Sequence, residues 1–378
     1  MNKKSILLII VVATGIIGLE LFFYRDRILK KIYLPTATKL PPGVENAQKP
    51  DIEIIAENLT IPWDIAFLPT REMLITERIG NLLKIGTDKK IIPIEGVKHI
   101  GEGGLLGVAL HPNFAKNNWL YLYLTTETST GLSNRVERYT LNQDKLTDKT
   151  VIIKDIPGAN YHDGGKIAFG PDGFLYITAG DSDRSNLAQD TNSLAGKILR
   201  VKDDGSIPSD NPFGNAVYSY GHRNPQGLAW DDQGRLFATE HGRSGILSGF
   251  DELNLIEKGA NYGWPKIQGD EKKEEMKNPI IHSGPDKTWA PAAALYFRES
   301  IFFTGLRGES LYQAKISPEG KIEKLETNLR EKFGRLRALA LGPDGYFYIS
   351  TSNTDGHGEL REGDDKIIRV NPEIFYKN

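Results

Sequence analysis

The chain has 378 residues, 25% of them charged, and a formal net charge of −2. That length suits one large domain or two ordinary ones, and the near-neutral balance gives no support to a general nucleic-acid binder. Cysteine is absent, which excludes disulfides, thiolate metal sites and a cysteine nucleophile.

Lys3 and Lys4 precede an apolar run over residues 5–24, interrupted only by Glu20. Twenty helical residues span roughly 30 Å, about one bilayer core. Arg25, Arg27, Lys30 and Lys31 follow, and no small-residue cleavage site is evident. Residues 1–31 therefore read as a signal anchor that stays as a membrane helix, with a cleaved signal peptide and then a buried soluble helix as the alternatives. Positive charge on both flanks leaves its orientation open. Residues 32–50 contain four prolines and few large apolar residues, and read as a tether. The globular domain is expected over residues 51–378.

From Asp51 onward one phrase recurs, a turn followed by an apolar strand. Phe67-Leu68-Pro69-Thr70 leads into Met73 to Glu77, and His111-Pro112-Asn113-Phe114 into Trp119 to Tyr123. Gly170-Pro171-Asp172-Gly173 leads into Phe174 to Thr178, Asp231 to Gly234 into Leu236 to Glu240, and Gly342-Pro343-Asp344-Gly345 into Tyr346 to Ser350. Asp-Gly between apolar runs is a strong hairpin signal. A second phrase also repeats: Gly196-Lys197-Ile198-Leu199-Arg200-Val201 resembles Asp365-Lys366-Ile367-Ile368-Arg369-Val370. Long helical patterns are nearly absent after residue 50. Strand repeats of this kind predict an all-β fold, a β-propeller. Counting an unmarked blade near Ile301 to Thr304 gives six blades, with five or seven as the alternatives, and the last strands are expected to close the ring against the first.

Several loops carry candidate chemistry. His162, in Tyr161-His162-Asp163-Gly164-Gly165-Lys166, precedes a strand and is a potential general base. On local sequence alone, a loop histidine bonded to backbone is the favoured reading. In Gly221-His222-Arg223-Asn224-Pro225-Gln226-Gly227, Arg223 can fork onto a carboxylate and Asn224 can add a hydrogen bond. Arg335-Leu336-Arg337 puts two guanidiniums on one face of a strand, and Arg307 is a third candidate. An anionic small ligand, or separate surface ion pairs, would account for them. Glu240-His241-Gly242, Asp251-Glu252-Leu253-Asn254 and Asn261-Tyr262-Gly263 supply hard oxygen ligands suited to Ca²⁺, without an EF-hand spacing. No P-loop, dinucleotide fingerprint or nucleophile elbow is present.

Taken together these loops resemble the soluble pyrroloquinoline quinone (PQQ) dependent glucose dehydrogenases, and most closely their aldose sugar dehydrogenase branch. The matching phrases are Gly101-Glu102-Gly103-Gly104-Leu105-Leu106-Gly107, Tyr161 to Asp172, Gly221 to Gly227, Asp251 to Pro265 and Gly334 to Gly345. The resemblance implies a six-bladed propeller oxidising the C1 hydroxyl of aldoses to lactones. It implies that His162 removes the hydroxyl proton while hydride passes to PQQ. It implies that Glu102, Asp181, Arg223, Asn224, Trp289, Arg307, Arg335 and Arg337 line or hold the cofactor site. For Ca²⁺ it implies the Gly242 carbonyl at the cofactor, and Glu252 with Tyr262 at a second site. The chain departs from the glucose enzymes at Glu102 (Gln there), Tyr161 (Asp), Lys166 (Arg), Arg243 (Pro) and Ala338 (Asp). The expected partners are an aldose, an unidentified electron acceptor and a membrane reached through the N-terminal helix. The expected location is the bacterial cell envelope, with the propeller facing the periplasm or the outside. A non-catalytic propeller that binds a glycan or protein, and a metal-dependent lactonase, are the alternative readings.

Overall fold

Turn chemistry and strand pattern organise everything that follows. In a computed structural model, which describes residues 50–243 and 249–377, the chain first forms β1 (Ile52–Ala56). Blade I is β2 (Pro62–Phe67), β3 (Met73–Glu77), β4 (Asn81–Ile85) and β5 (Lys89–Pro93). Blade II is β6 (Leu105–Leu110), β7 (Trp119–Thr128), β8 (Gly131–Asn142) and β9 (Lys145–Pro157), with one helical turn, α1 (Phe114–Asn117), after β6. Blade III is β10 (Ile167–Phe169), β11 (Leu175–Ala179), β12 (Lys197–Val201) and β13 (Val217–Tyr220). Blade IV is β14 (Pro225–Trp230), β15 (Leu236–Glu240), β16 (Glu252–Ile256) and β17 (Ile281–His282). Blade V is β18 (Pro291–Phe297), β19 (Ser300–Gly305), β20 (Ser310–Ile316) and β21 (Ile322–Asn328). Blade VI is β22 (Leu336–Leu341), β23 (Phe347–Thr351) and β24 (Ile367–Val370), completed by β1 as its outer strand.

The six-bladed expectation therefore holds, and so does the closure. Ile52 pairs with Val370 and Ile54 with Ile368 in antiparallel register. Closure stitches the two ends of the propeller into one sheet and removes the weakest seam of the ring. The membrane-anchor segment, and all but the last residue of the tether, lie outside the described residues. Among the described residues no helix is long and apolar enough to cross a membrane.

Each blade interface has its own apolar cluster. Leu74 and Leu82 meet Leu105 and Leu120 between blades I and II, and Tyr121 and Tyr123 meet Ile177 and Leu199 between II and III. Successive side chains on a strand point to opposite faces, and here both faces are covered. In β19, Ile301 and Phe303 pack towards blade IV while Phe302 packs towards blade VI. That double burial is why the strands read as continuous apolar runs. Burying one such side chain contributes about 1.5–3 kcal/mol.

The recurring turn joins the first and second strands of a blade. In blade III, Gly173 N donates to Gly170 O at 2.9 Å. Asp172 then accepts from Tyr176 Oη at 2.9 Å and Arg200 Nε at 3.0 Å. In blade VI, Asp344 likewise accepts from Tyr348 Oη at 3.3 Å and Arg369 Nε at 2.8 Å. The two repeated phrases of the sequence are thus the two ends of one ion-paired staple across three strands. Blade V lacks the signal because its turn is Arg298-Glu299, at φ 44° and 60°, where neither residue is glycine or asparagine.

Candidate active site

A meandering blade sends its odd and even connections to opposite ends. The recurring first-to-second-strand turns all lie at one end. The segments that enter each inner strand, and the turns between second and third strands, share the other. Glu102, His162, Arg223 and Arg335 lie in segments entering β6, β10, β14 and β22. Asp181 and His241 follow β11 and β15. The topology thus brings together residues separated by more than two hundred positions.

His162 is 9% exposed and sits at φ 62°. Its carbonyl runs so close to Gly180 that a Cβ there would lie 1.9 Å from it, so only glycine fits. Its backbone N donates to Glu102 Oε2 at 2.9 Å, and Asn224 Nδ2 donates to the same oxygen at 3.3 Å. Glu102, a departure from the glucose enzymes, is thereby tied to the base loop and to Asn224. Asn224 Oδ1 accepts from Gly164 N at 3.0 Å, holding the opposite side of that loop. The imidazole Nδ1 meets Asp181 Oδ1 at 2.7 Å. A carboxylate oxygen accepts, so Nδ1 carries the hydrogen and Nε2 is the basic nitrogen.

Four guanidiniums are buried at this end. Arg78 and Arg223 are each 5% exposed, Arg335 8% and Arg337 5%. Arg335 donates to Asp355 Oδ2 from Nε at 3.1 Å and Nη2 at 2.9 Å. Arg337 donates to Gln226 Oε1 at 2.9 Å, and its Nε finds no partner among the described residues. Burial, together with Arg78 and Arg335, lowers the Arg337 guanidinium to about 10. Burial likewise lowers Arg78 and Arg223. His241 is held well below its usual range by burial and by Arg337 and Arg223, which places it neutral among them. Its Nε2 is also without a partner among the described residues. Buried positive charge of this density, with donors left over, suits a flat polyanion that forks onto arginine.

Asp163, beside the base, is 1% exposed. Its Oδ1 accepts from Asn134 Nδ2 at 2.8 Å and Ala159 N at 3.2 Å, while Oδ2 finds no partner among the described residues. Burial pushes this carboxyl from 3.8 up to about 7. Between those values the folded chain keeps a proton that the unfolded chain has lost. Stability therefore falls as pH rises through that window, and the penalty is complete above about 7. Asp163→Asn mimics the protonated form. It is expected to match the parent at low pH and to exceed it by roughly 4 kcal/mol at pH 8 in chemical denaturation. Equal stabilities at both pH values would count against this account.

The calcium candidates cluster in blade IV. Gly242 N donates to Asp251 Oδ1 at 2.8 Å, just before residues 244–248, which lie outside the described residues. Burial and neighbouring Glu240 raise the Glu252 carboxyl, which accepts from Asn254 Nδ2 at 3.0 Å. Asn254 Oδ1 and Gln268 Oε1 are buried without partners among the described residues, and Gln268 shares a small cavity with Glu252 and Tyr262. Spare oxygens around a carboxyl under charge pressure fit a hard cation. The Tyr262 hydroxyl is already committed, donating to Leu255 O at 2.6 Å and accepting from Glu257 N at 2.8 Å. Among the described residues no group of three or more His, Asp or Glu side chains is arrayed for a metal. Amide and carbonyl oxygens would therefore complete any site.

Two candidates stand somewhat apart. Arg307 is exposed in the turn between β19 and β20, at the same end of the ring. Trp289 packs in the apolar core of blade V, its ring 5.4 Å from Phe303 and 5.5 Å from Tyr312. Ala338 is buried in the core between blades VI and I, so that departure serves packing. Sequence reasoning did not single out Arg78, Gln226, Trp264 or Asp355. A signal for Arg78 existed, since it directly follows the second strand of its blade, as His241 does and Asp181 nearly does.

Comparison with known proteins agrees with this geometry. The profile of the glucose/sorbosone dehydrogenase family matches residues 59–362. The chain is 31% identical over 364 residues to the aldose sugar dehydrogenase of Escherichia coli, covering 85% of this chain and 93% of that protein. It is 35% identical over 257 residues to quinoprotein glucose dehydrogenase B of Acinetobacter calcoaceticus, covering 58% of this chain and 53% of that one. The PQQ-bound aldose sugar dehydrogenase of Streptomyces coelicolor superposes with a TM-score of 0.78 at 37% identity, covering 84% of this chain and 97% of that one. On the propeller, the converging site loops and a match that spans most of the domain, this chain belongs to the glucose/sorbosone dehydrogenase family.

Proposed function

We propose that this chain is a PQQ-dependent aldose dehydrogenase that oxidises the C1 hydroxyl to a lactone. The observation that carries the reading is the convergence of four buried arginines on the end of the ring that holds the His162–Asp181 pair. Arg223, Asn224, Arg335 and Arg337, with Arg307 at the rim, are the residues that would hold the cofactor's carboxylates and carbonyls. The Gly242 carbonyl, and Glu252 with the Tyr262 carbonyl, would hold Ca²⁺. When bound, PQQ supplies a two-electron acceptor for the hydride leaving C1. His162 Nε2 takes the O1 proton, and Asp181 stabilises the imidazolium that results. Glu102 and Asn224 hold the base loop so that the nitrogen keeps its aim. Burial of the arginines excludes water and strengthens their grip on the anion. Re-oxidation requires a separate electron acceptor.

We extend the reading to location. The apolar run over residues 5–24 would tether the propeller to a cell-envelope membrane, on its periplasmic or outer side.

Titration of the apoprotein with PQQ and Ca²⁺, followed by an aldose panel with an artificial acceptor, tests the function. Saturable binding with sugar-dependent acceptor reduction is expected. Absence of PQQ binding in excess Ca²⁺ would overturn the reading in favour of a binding propeller. Lactone hydrolysis without PQQ would point to a lactonase.

A further inference from the structure

The loop after β16 carries Trp264 back onto blade III. Its indole Nε1 donates to Asp181 Oδ2 at 2.7 Å. The other oxygen of that carboxylate meets His162 Nδ1 at 2.7 Å and also accepts from Asp183 N at 3.0 Å. Asp181 is 1% exposed, so water is not there to replace a lost donor. A carboxylate held at one oxygen can turn about its Cβ–Cγ bond. Held at both, it cannot.

Trp264 is itself held firmly. Its N donates to Gly221 O at 2.9 Å, and its carbonyl accepts from Gln189 Nε2 at 2.6 Å. Gln189 and Asn261 exchange amide bonds at 3.0 and 2.9 Å. The turn that carries Gln189 is pinned by Lys197, whose Nζ donates to the carbonyls of Leu187, Ala188 and Ala195 at 2.9, 3.1 and 2.6 Å. Lys197 is fully buried on β12, so the support runs back to the body of blade III.

We propose that Trp264 is a positioning residue for His162, acting through Asp181 and set in place by Gln189. The inference rests on the reading of His162 as the base. With the indole N–H present, Asp181 is locked with Oδ1 towards the ring, Nδ1 keeps its hydrogen, and Nε2 stays free to accept the sugar proton. Without it, Asp181 turns and the other tautomer becomes accessible. The same indole lies 5.4 Å from the Arg223 guanidinium, so one side chain supports both the base and an arginine of the cofactor cradle. The two roles separate by substitution. Trp264→Phe removes the N–H and keeps an aromatic face near Arg223, whereas Trp264→Leu removes both.

The test uses the full chain. For PQQ-loaded Trp264→Phe, kcat is expected to fall on the order of 10–100-fold, the usual cost of losing a group that orients a functional histidine. KM for the sugar and Kd for PQQ should stay within about threefold, a split that general loosening of the fold would not give. Trp264→Leu should in addition weaken PQQ binding. In ¹⁵N NMR of the apoprotein, the His162 ring should report one tautomer in the parent and a mixture in Trp264→Phe. If Trp264→Phe does not fold, Gln189→Leu should shift the ring signals in the same direction. Unchanged ring signals, or kcat within threefold of the parent, would overturn the proposal. A parent without PQQ-dependent turnover would remove the functional reading alone, and the NMR comparison would still decide whether Trp264 sets the imidazole.

Discussion

His162→Ala is expected to lower kcat on the order of 10²–10⁴-fold, the range that a positioned general base supplies. Affinity for PQQ should change little, because Arg223, Arg335 and Arg337 take their fixed positions from Asp355, Gln226 and backbone rather than from the imidazole. The loop should survive as well. Glu102 Oε2 accepts from the backbone N of residue 162, which alanine retains. His162→Asn is a useful companion, since asparagine tolerates the φ of 62° better than alanine does. Stopped-flow reduction of the cofactor by an aldose reads the loss directly. Turnover within tenfold of the parent would remove His162 from the role of base.

The second large effect is on stability. Lys166 Nζ lies 2.7 and 2.8 Å from the two oxygens of Asp64, which is 2% exposed. Asp64 Oδ2 also accepts from Val108 N at 3.2 Å. One ion pair, its carboxylate buried and its ammonium partly buried, thus ties β2, β6 and the entry to β10, the inner edges of three blades. Lys166→Met would leave the Asp64 carboxylate buried with backbone donors only. A loss of about 3–5 kcal/mol is expected, because an uncompensated buried charge costs far more than a missing pair. Lys166→Met combined with Asp64→Asn should recover a large part of that loss. Lys166→Arg, the residue usual in the glucose enzymes, should stay near the parent. Urea denaturation of the parent, Lys166→Met, Asp64→Asn and the double mutant closes the cycle. A single mutant as stable as the parent would mean that the pair is solvated in solution.

The repeated Gly-Pro-Asp-Gly turns were legible in the sequence, and so were the blades they open, because a tight turn needs particular residues at particular positions. Their purpose was less visible. Asp172 and Asp344 read as turn residues, yet each also takes an arginine from two strands away. The blade V turn went unmarked because Arg298-Glu299 adopts left-handed backbone without the residues that usually advertise it. Candidate site residues were found where a loop phrase is distinctive, as at His162, Arg223 and Arg335. Arg78, Trp264 and Asp355 sit in ordinary surroundings along the chain, and their significance comes only from what faces them. Trp289 reads as a site residue by resemblance, while its ring sits with Phe303 and Tyr312 in a packing core.

The sequence by itself determined the all-β class and the repeated blade pattern, since hydrophobic period and turn residues act over a few neighbours, while the tertiary structure fixed the count at six and the closure through β1. It also determined the stock of arginines and the histidine loop. Only the tertiary structure decided which charges meet. The arrangement of blades brings Arg337 against Gln226, and Trp264 against Asp181, across 111 and 83 residues. Charge balance and donor geometry at a site depend on distances in space, and no local pattern along the chain encodes those.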